Sequence, residues 1–133
     1  MLQPMKEKTF RVRTSEREQI VIITDQVQRA LGEMTDGDGI CTVVTPHTTC
    51  AISVNENADP EVPTDLIKAL RAMVPPVKFR HGEGNSDAHL LSMIIGASLS
   101  WPYRGGKLVF GTWQGIYFVE LDGPRERKVT VYV

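Results

Sequence analysis

The chain has 133 residues, of which 41% are hydrophobic and 23% are charged, and its formal net charge is −1 at pH 7. This length predicts one domain, spanning residues 1–133, and the composition excludes a disordered or collagen-like chain. The near-neutral charge argues against the basic class of nucleic-acid-binding proteins, so we expect no nucleic-acid partner.

The N-terminal segment bears on cellular location. Residues 1–8 are polar and lack the apolar core of a secretory signal. The sequence contains no apolar run near the roughly 20 residues that span a bilayer. We therefore expect a cytoplasmic protein with no membrane partner.

Two strands and a helix are predicted first. Residues 9–13 and 19–23 have strand patterns, and the polar residues between them predict a hairpin. A helix over about 24–34 follows, capped by Thr24 or Asp25, because apolar residues recur on one face. The residues of that face are Val27, Ala30, Leu31 and Met34.

A pair of apolar segments comes next. Residues 39–44 and 50–54 predict buried strands separated by a polar insert that contains His47. Cys41 and Cys50 lie in these strands and are expected to be buried free thiols. A disulfide between them is the alternative, if the two strands form a hairpin.

Two further helices are expected. One starts at Asp59-Pro60, because a capping residue followed by proline is typical of a first helical turn. Asn85 or Ser86 caps the other, which extends to Ala97. The residues predicted to face the core are Val62, Leu66, Leu70 and Met73 in the earlier helix and Leu90, Leu91, Ile94 and Ile95 in the later one.

The C-terminal third predicts four strands in two hairpins. Residues 98–103 pair with 107–110, and residues 116–121 pair with 127–133, each pair flanking a turn. The element order is therefore ββαββααββββ. Short turns favour antiparallel pairing, so we expect an α+β fold with mainly antiparallel sheets in a sandwich-like core and three helices.

All three histidines lie in loops or at the ends of elements. Three imidazoles with an open fourth position form one arrangement of catalytic zinc, so His47, His81 and His89 are candidate metal ligands. Glycines between His81 and His89 allow the segment to bend so that both rings face one point. The alternative is that each histidine is an ordinary polar surface residue.

Several carboxylates accompany the histidines. Glu56 follows a buried strand in a segment of low helix and strand propensity, where it could act as a general base or hold a histidine tautomer. Asp59 and Asp87 have the alternative of stabilising helix N-termini. Glu120 ends a strand.

The segment 111–115 and the arginines add binding groups. Trp113, between two glycines, could stack on a flat ring, or it could pack in the core beside a bulge. Arg125 lies near a turn and matches phosphate oxygens, with a solvated charge as the alternative. The helix N-terminus near Asn85 offers free backbone N–H groups for a phosphate.

Longer strings of the sequence carry a resemblance to a known family. The chain contains PHTTCAISVNENADPEVPTDL, RHGEGNSDAHLLSMIIGASL and GKLVFGTWQGIYFVELDGPRERKV. These strings resemble the three blocks of the YjbQ-like family, the secondary thiamine-phosphate synthases, in the family's order and over roughly residues 40–130. The resemblance implies the YjbQ-like α+β fold and a homotrimer.

The resemblance also implies site residues. The metal ligands would be His47 in PHTT, His81 in RHGEG and His89 in NSDAH. We assign roles to further residues at or beside the motif positions. The catalytic candidates are Glu56, Asp87 and Glu120, and the substrate-binding candidates are Thr48, Asn85, Trp113, Gln114 and Arg125.

The implied activity is that of a thiamine-phosphate synthase-like transferase. It joins a pyrimidine diphosphate to a thiazole phosphate and releases diphosphate, as a secondary activity. Three histidines favour zinc, whereas magnesium would suit a diphosphate substrate. One alternative is a metal-dependent hydrolase of a small phosphorylated or ester substrate. Another is a non-catalytic binding trimer stabilised by metal.

Overall fold

A computed structural model describes residues 4–133. Three helices and eight strands follow the predicted order ββαββααββββ. The helices are α1 (Thr24–Met34), α2 (Glu61–Met73) and α3 (Ser86–Ile95). The strands are β1 (Glu7–Arg13), β2 (Gln19–Ile22), β3 (Gly39–Val44), β4 (Cys50–Glu56), β5 (Ser98–Arg104), β6 (Lys107–Leu108), β7 (Gln114–Glu120) and β8 (Glu126–Tyr132).

The strands form two antiparallel sheets. One sheet has five strands in the order β1-β8-β3-β5-β6, and the other has three in the order β2-β7-β4. Strand β7 is buried along nearly its whole length because it is the central strand of the smaller sheet and both its faces are covered. The expected α+β class with mainly antiparallel sheets and three helices is confirmed.

Most of the predicted hairpins are wrong. Only β5 and β6 pair across their turn, as expected. Strands β1 and β2, β3 and β4, and β7 and β8 each divide between the two sheets, so their connecting segments cross from one sheet to the other. Strands of both sheets then bury apolar side chains in one shared cluster.

Two apolar clusters hold the sheets and helices together. The larger joins both sheets to α1, through residues such as Leu31, Val43 and Phe118. The smaller lies between the other face of the three-stranded sheet and the two remaining helices, and it includes Ala51 and Leu91. The three-stranded sheet is therefore the middle layer of the molecule.

The helix predictions need local correction. Helix α1 starts at Thr24 itself, whose hydroxyl accepts a hydrogen bond from the Ile116 amide instead of capping the helix. Helix α2 has no buried residue, and Met73, expected in the core, is 62% exposed. Ile94 of α3 is 58% exposed, whereas Leu91 is buried as predicted.

Cys41 and Cys50 are buried free thiols, and burial raises the pKa of both. They lie on strands of different sheets, so the hairpin that a disulfide required does not form. In the part of the chain that the structure describes, no helix has the length and apolar character needed to cross a membrane.

Candidate functional site

A cavity of about 280 Å³ lies where the β3–β4 connection meets α3. It brings together His47 and His89, which are 42 positions apart in the sequence. Its lining combines imidazole and hydroxyl groups with apolar groups. The lining residues are His47, Thr48, His89, Ser92, Met93, Gly96 and Ala97.

Hydrogen bonds fix both walls of this cavity. The Ser92 hydroxyl donates to the Cys50 carbonyl at 2.7 Å and so ties α3 to the first residue of β4. The Nε2 atom of His47 accepts a hydrogen bond from the Lys128 amide at 2.9 Å. The cavity is therefore framed by elements that both sheets hold in place.

His47 is held as a neutral imidazole. Its burial, followed by repulsion from the Arg127 guanidinium, lowers the pKa of His47 below its ordinary value. A neutral ring whose Nε2 accepts a hydrogen bond carries its proton on Nδ1. His47 therefore offers an N–H donor and has no free lone pair.

His81 extends the histidine cluster beyond the cavity. Its ring packs edge-on against that of His89, with 5.7 Å between the ring centroids. Its Nδ1 lies 3.1 Å from the Ser86 hydroxyl, at the start of α3. The predicted proximity of His81 and His89 is present, and His89 also lines the cavity together with His47.

These groups do not fit a three-histidine metal centre within one chain. Across residues 4–133, no three His, Cys, Asp or Glu side chains are arranged so that they could hold a metal ion. In addition, the Lys128 amide occupies the lone pair that His47 would need for ligation. Metal binding by these histidines stays a prediction.

The start of α3 carries a polar network one turn from His89. The Asn85 amide and the Arg125 guanidinium both donate to Asp122 Oδ2, at 2.9 and 3.1 Å. Burial alone would raise the pKa of Asp122, but these two hydrogen bonds outweigh it and hold that pKa below the ordinary value. Asp122 therefore links two predicted substrate-binding residues.

Asp87, a predicted catalytic residue, lies in the first turn of α3. Arg17 lies 3.4 Å from its carboxylate and also donates to the Gly84 carbonyl. The helix N-terminus and one guanidinium therefore lie beside the Asp87 carboxylate. This arrangement matches the alternative that Asp87 stabilises the start of α3.

The catalytic role predicted for Glu120 needs correction. Its side chain is fully buried, so a substrate cannot reach it in this conformation. It accepts hydrogen bonds from Arg127 Nε and from the Thr14 hydroxyl, both at 2.9 Å, and Arg127 Nη2 makes a second contact. Glu120 is a structural residue that secures the strand end under the histidine cavity.

Three other predicted site residues lie at the opposite end of the same sheet. Strand β4 pairs with β7 so that Cys50 faces Glu120 at one end and Glu56 faces Gln114 at the other. Six residues of strand separate these ends by about 20 Å. Glu56, Trp113 and Gln114 are therefore not beside the histidines of the same chain.

The turn before β7 explains the exposure of Trp113. The Gln114 side chain accepts a hydrogen bond from the Gly111 amide at 2.8 Å and closes this turn. Trp113 is 63% exposed at its tip, so the core alternative is wrong. Whether this ring stacks on a substrate stays a prediction.

Sequence reasoning missed several residues around the cavity. Aspartate is common in turns, and Arg17 lies in a polar connection. Neither Asp122 nor Arg17 therefore carries a local signal for a site. Ser92 carries the one available signal, a small polar residue on an otherwise apolar helix. The contact of the Lys128 amide with His47 depends on the fold alone.

Two antiparallel sheets with three helices define the class of fold. The histidines gather at one end of the smaller sheet. A family profile described as "UPF0047 protein YjbQ-like" matches residues 8–133. The chain therefore belongs to the UPF0047, YjbQ-like family of uncharacterised conserved proteins.

Relatives of known sequence and structure agree with this assignment. A UPF0047 protein from Methanocaldococcus jannaschii is 44% identical over 125 residues, covering 93% of this chain and 91% of that protein. YugU from Bacillus subtilis is 41% identical over 128 residues, covering 95% and 96%. A crystal structure from Clostridium acetobutylicum has a TM-score of 0.90 at 44% identity, covering 95% of this chain and 99% of that one. That protein is described as uncharacterised.

Proposed function

We propose that this chain is a small-molecule transferase of the thiamine-phosphate synthase type, and that its substrate binds in the histidine cavity. The observation that carries the proposal is that His47, Thr48 and His89 line one cavity. The reaction would join a pyrimidine diphosphate to a thiazole phosphate and release diphosphate. The choice of this reaction rests on the family resemblance.

The mixed polar and apolar lining supports a substrate with an aromatic ring and a phosphate group. Met93, Gly96 and Ala97 offer an apolar wall for a ring, whereas His47, Thr48 and His89 offer polar groups. Sites of this kind usually combine an apolar surface with a few placed polar groups. A pyrimidine or thiazole with a phosphate group matches this division.

Donors around the cavity support recognition of an anion. His47 presents an Nδ1–H group, and Arg125 and Asn85, which is one helical turn before His89, both donate to Asp122 Oδ2. Arg125 uses Nε and Nη2 for Asp122, so its Nη1 group is available for phosphate oxygens among the described contacts. In the proposed reaction these groups stabilise the charge of the departing diphosphate.

Zinc, or magnesium with a diphosphate substrate, remains part of the proposal. A metal bound beside the histidines would supply further charge neutralisation for the leaving group. Metal analysis of protein purified without added metal, compared with His89→Ala, tests this element, because the Lys128 amide already occupies the lone pair of His47. We expect metal in the wild-type protein and a loss in the variant, and equal metal content in both would remove His89 as a ligand.

A homotrimer would bring one end of the three-stranded sheet of one copy against the opposite end of the sheet of the next copy. Met93 and Ile94 are exposed to solvent beside the histidine cavity, and Trp113 is exposed at the other end of the three-stranded sheet. A contact between two different patches is head-to-tail, and it can close into a ring. In such a ring, Trp113 and Gln114 of one copy would meet the histidine cavity of the next.

The decisive experiment measures thiamine phosphate formed from the two precursors by wild-type protein, His89→Ala and Arg104→Ala. Arg104 is exposed at the far end of β5, so its variant is the matched control. We expect product with the wild type and the control, and at least a tenfold loss with His89→Ala. Phosphate release without the thiazole acceptor would replace the transferase with a hydrolase, and no turnover of either kind would leave a binding protein.

A further inference from the structure

Strand β1 is an open edge of the five-stranded sheet. It pairs with β8 on one side, and among residues 4–133 no strand lies on its other side. An open edge of seven residues is a template for another strand, and proteins usually block such edges with charges, prolines or bulges. Strand β1 contains no proline, so its charges decide whether a further strand can pair with it.

The hydrogen bonds around β1 show which of its backbone groups point away from β8. Lys6, just before β1, exchanges both backbone bonds with Val133, at 3.1 and 3.0 Å. The Thr14 amide, just after β1, donates to the Arg125 carbonyl at 2.9 Å. Because such bonds alternate along an antiparallel pair, the even-numbered residues of β1 bond to β8 and the odd-numbered residues face outward. The residues with outward backbone groups are Glu7, Thr9, Arg11 and Arg13.

The charges of β1 are complementary to a reversed copy of the same strand. Glu7 and Arg13 are exposed at opposite ends of β1, and neither makes an ion pair with any residue from 4 to 133. The two cations between them, Lys8 and Arg11, are already paired with acids of the same chain. If two β1 strands pair in antiparallel orientation over their full length, Glu7 of each copy lies opposite Arg13 of the other. Such opposite charges on facing strands stabilise a sheet.

Phe10, at the centre of β1, adds an apolar contact to this pairing. Its side chain is partly buried against the larger cluster, and with Ala30 it lines a groove of about 190 Å³ between β1 and α1. In the full-length pairing, Phe10 of each copy lies opposite Phe10 of the other, at a position without bonds between the two backbones. Side chains approach most closely at such positions, and facing aromatic rings stabilise the strand pair.

We propose that β1 binds the β1 strand of a second copy of this chain, in antiparallel orientation about a two-fold axis at Phe10. The two five-stranded sheets then become one, through an isologous contact in which each copy contributes the same residues. A single strand pair is a small interface, so the contact forms at high protein concentration. Strand β1 contains none of the residues of the proposed ring contact, so this dimer is independent of the ring and of any transferase activity.

Amide hydrogen exchange, resolved by residue with NMR, tests the pairing because it distinguishes the two edges of β1. We expect exchange at the four outward amides to slow at least about tenfold from dilute to concentrated protein. The even-numbered amides of β1, already bonded to β8, are the internal control and should change less. Equal changes at both sets, or no change at the outward amides, would overturn the proposal and leave this edge to an extended segment of a different protein.

Charge reversal locates the contact. Glu7→Arg and Arg13→Glu each create two like-charge pairs between copies, so we expect the Thr9 amide in either concentrated variant to exchange as in dilute wild-type protein. An equimolar mixture of the two variants restores opposite charges at both ends, as does the double variant, and the slow exchange should return. Arg104→Glu, an exposed change at the end of β5, is the matched control and should behave as the wild type. Slow exchange in both single variants, or no recovery in the mixture, would contradict the contact.

Discussion

At the residue scale, the buried Glu120–Arg127 pair is the firmest feature near the candidate site. Both side chains are almost fully buried, and each makes further hydrogen bonds, to Thr14 and to Thr49. Arg127 Nη2 donates to the Thr49 hydroxyl at 2.9 Å, next to the His47 segment. The pair thus ties β7 and β8 to Thr49, which follows the cavity residue Thr48.

Removing one member of this pair should be costly. Glu120→Ala leaves Arg127 as a buried charge without its partner, so we expect a loss of about 3–5 kcal/mol in the free energy of unfolding. Glu126→Ala is the control, because its ion pair with Arg11 is exposed and contributes at most about 1 kcal/mol. Urea unfolding measures both, and similar losses would contradict the structural role of Glu120.

The Glu120 carboxylate should also make the free energy of unfolding depend on pH in the acidic range. Burial alone would raise the pKa of Glu120, but hydrogen bonds from Arg127, the Asp122 amide and Thr14 hold it below the ordinary value of 4.5. Its stabilisation is therefore present above that value and is lost as the pH falls through the lower folded-state pKa. Unfolding free energies measured across this acidic range should fall less steeply in Glu120→Ala than in the wild type, and parallel curves would contradict the prediction.

His47 gives a direct spectroscopic prediction. Because Nε2 accepts from the Lys128 amide, the neutral ring should carry its proton on Nδ1, and its pKa should lie below 6.5. Long-range ¹H–¹⁵N NMR spectra over a pH series measure both properties. A proton on Nε2 at neutral pH would contradict this geometry and would free Nδ1 as a metal ligand.

At the element scale, the helices differ in how they are anchored. Leu31 of α1 is fully buried in the larger cluster, whereas Leu70 of α2 only packs against the edge of the smaller one. Leu31→Ala should cost about 2–5 kcal/mol in unfolding free energy, and Leu70→Ala should cost clearly less. Denaturant unfolding of the two variants compares them directly, and equal costs would show that α2 is anchored as firmly as α1.

Elements that form from local patterns could be predicted from the sequence, whereas features that depend on long-range contacts could not. Periodicity predicts α1, and the Asp59-Pro60 signal predicts the start of α2, because local patterns determine where a helix forms. The connection after β3 looked like a hairpin, but its strands join different sheets, and that choice depends on long-range burial. The positions of the three histidines in loops and at element ends made them candidate ligands of one metal, but which of them share a cavity depends on the fold, because no local spacing links His47 to His89.

At the scale of the whole molecule, the proposed ring makes a testable claim. Trp113→Asp places a charge on an exposed apolar tip that would contact the next copy, whereas Met5→Asp makes the same kind of change on an exposed residue outside both patches. Light scattering after size-exclusion chromatography should find a trimer for the wild type and for Met5→Asp, and smaller species for Trp113→Asp. A monomeric wild type, or a trimer that tolerates Trp113→Asp, would contradict this interface.

The most direct test of the central claim is an NMR titration of the histidine side chains with inorganic diphosphate, the group that the proposed reaction releases. We expect saturable shifts of the His47 and His89 signals in the wild type and in Arg104→Ala. In His89→Ala we expect at least about a tenfold weaker affinity, read from the His47 signal. Unchanged His47 and His89 signals, or equal affinity in all three proteins, would contradict binding of a phosphorylated molecule in this cavity.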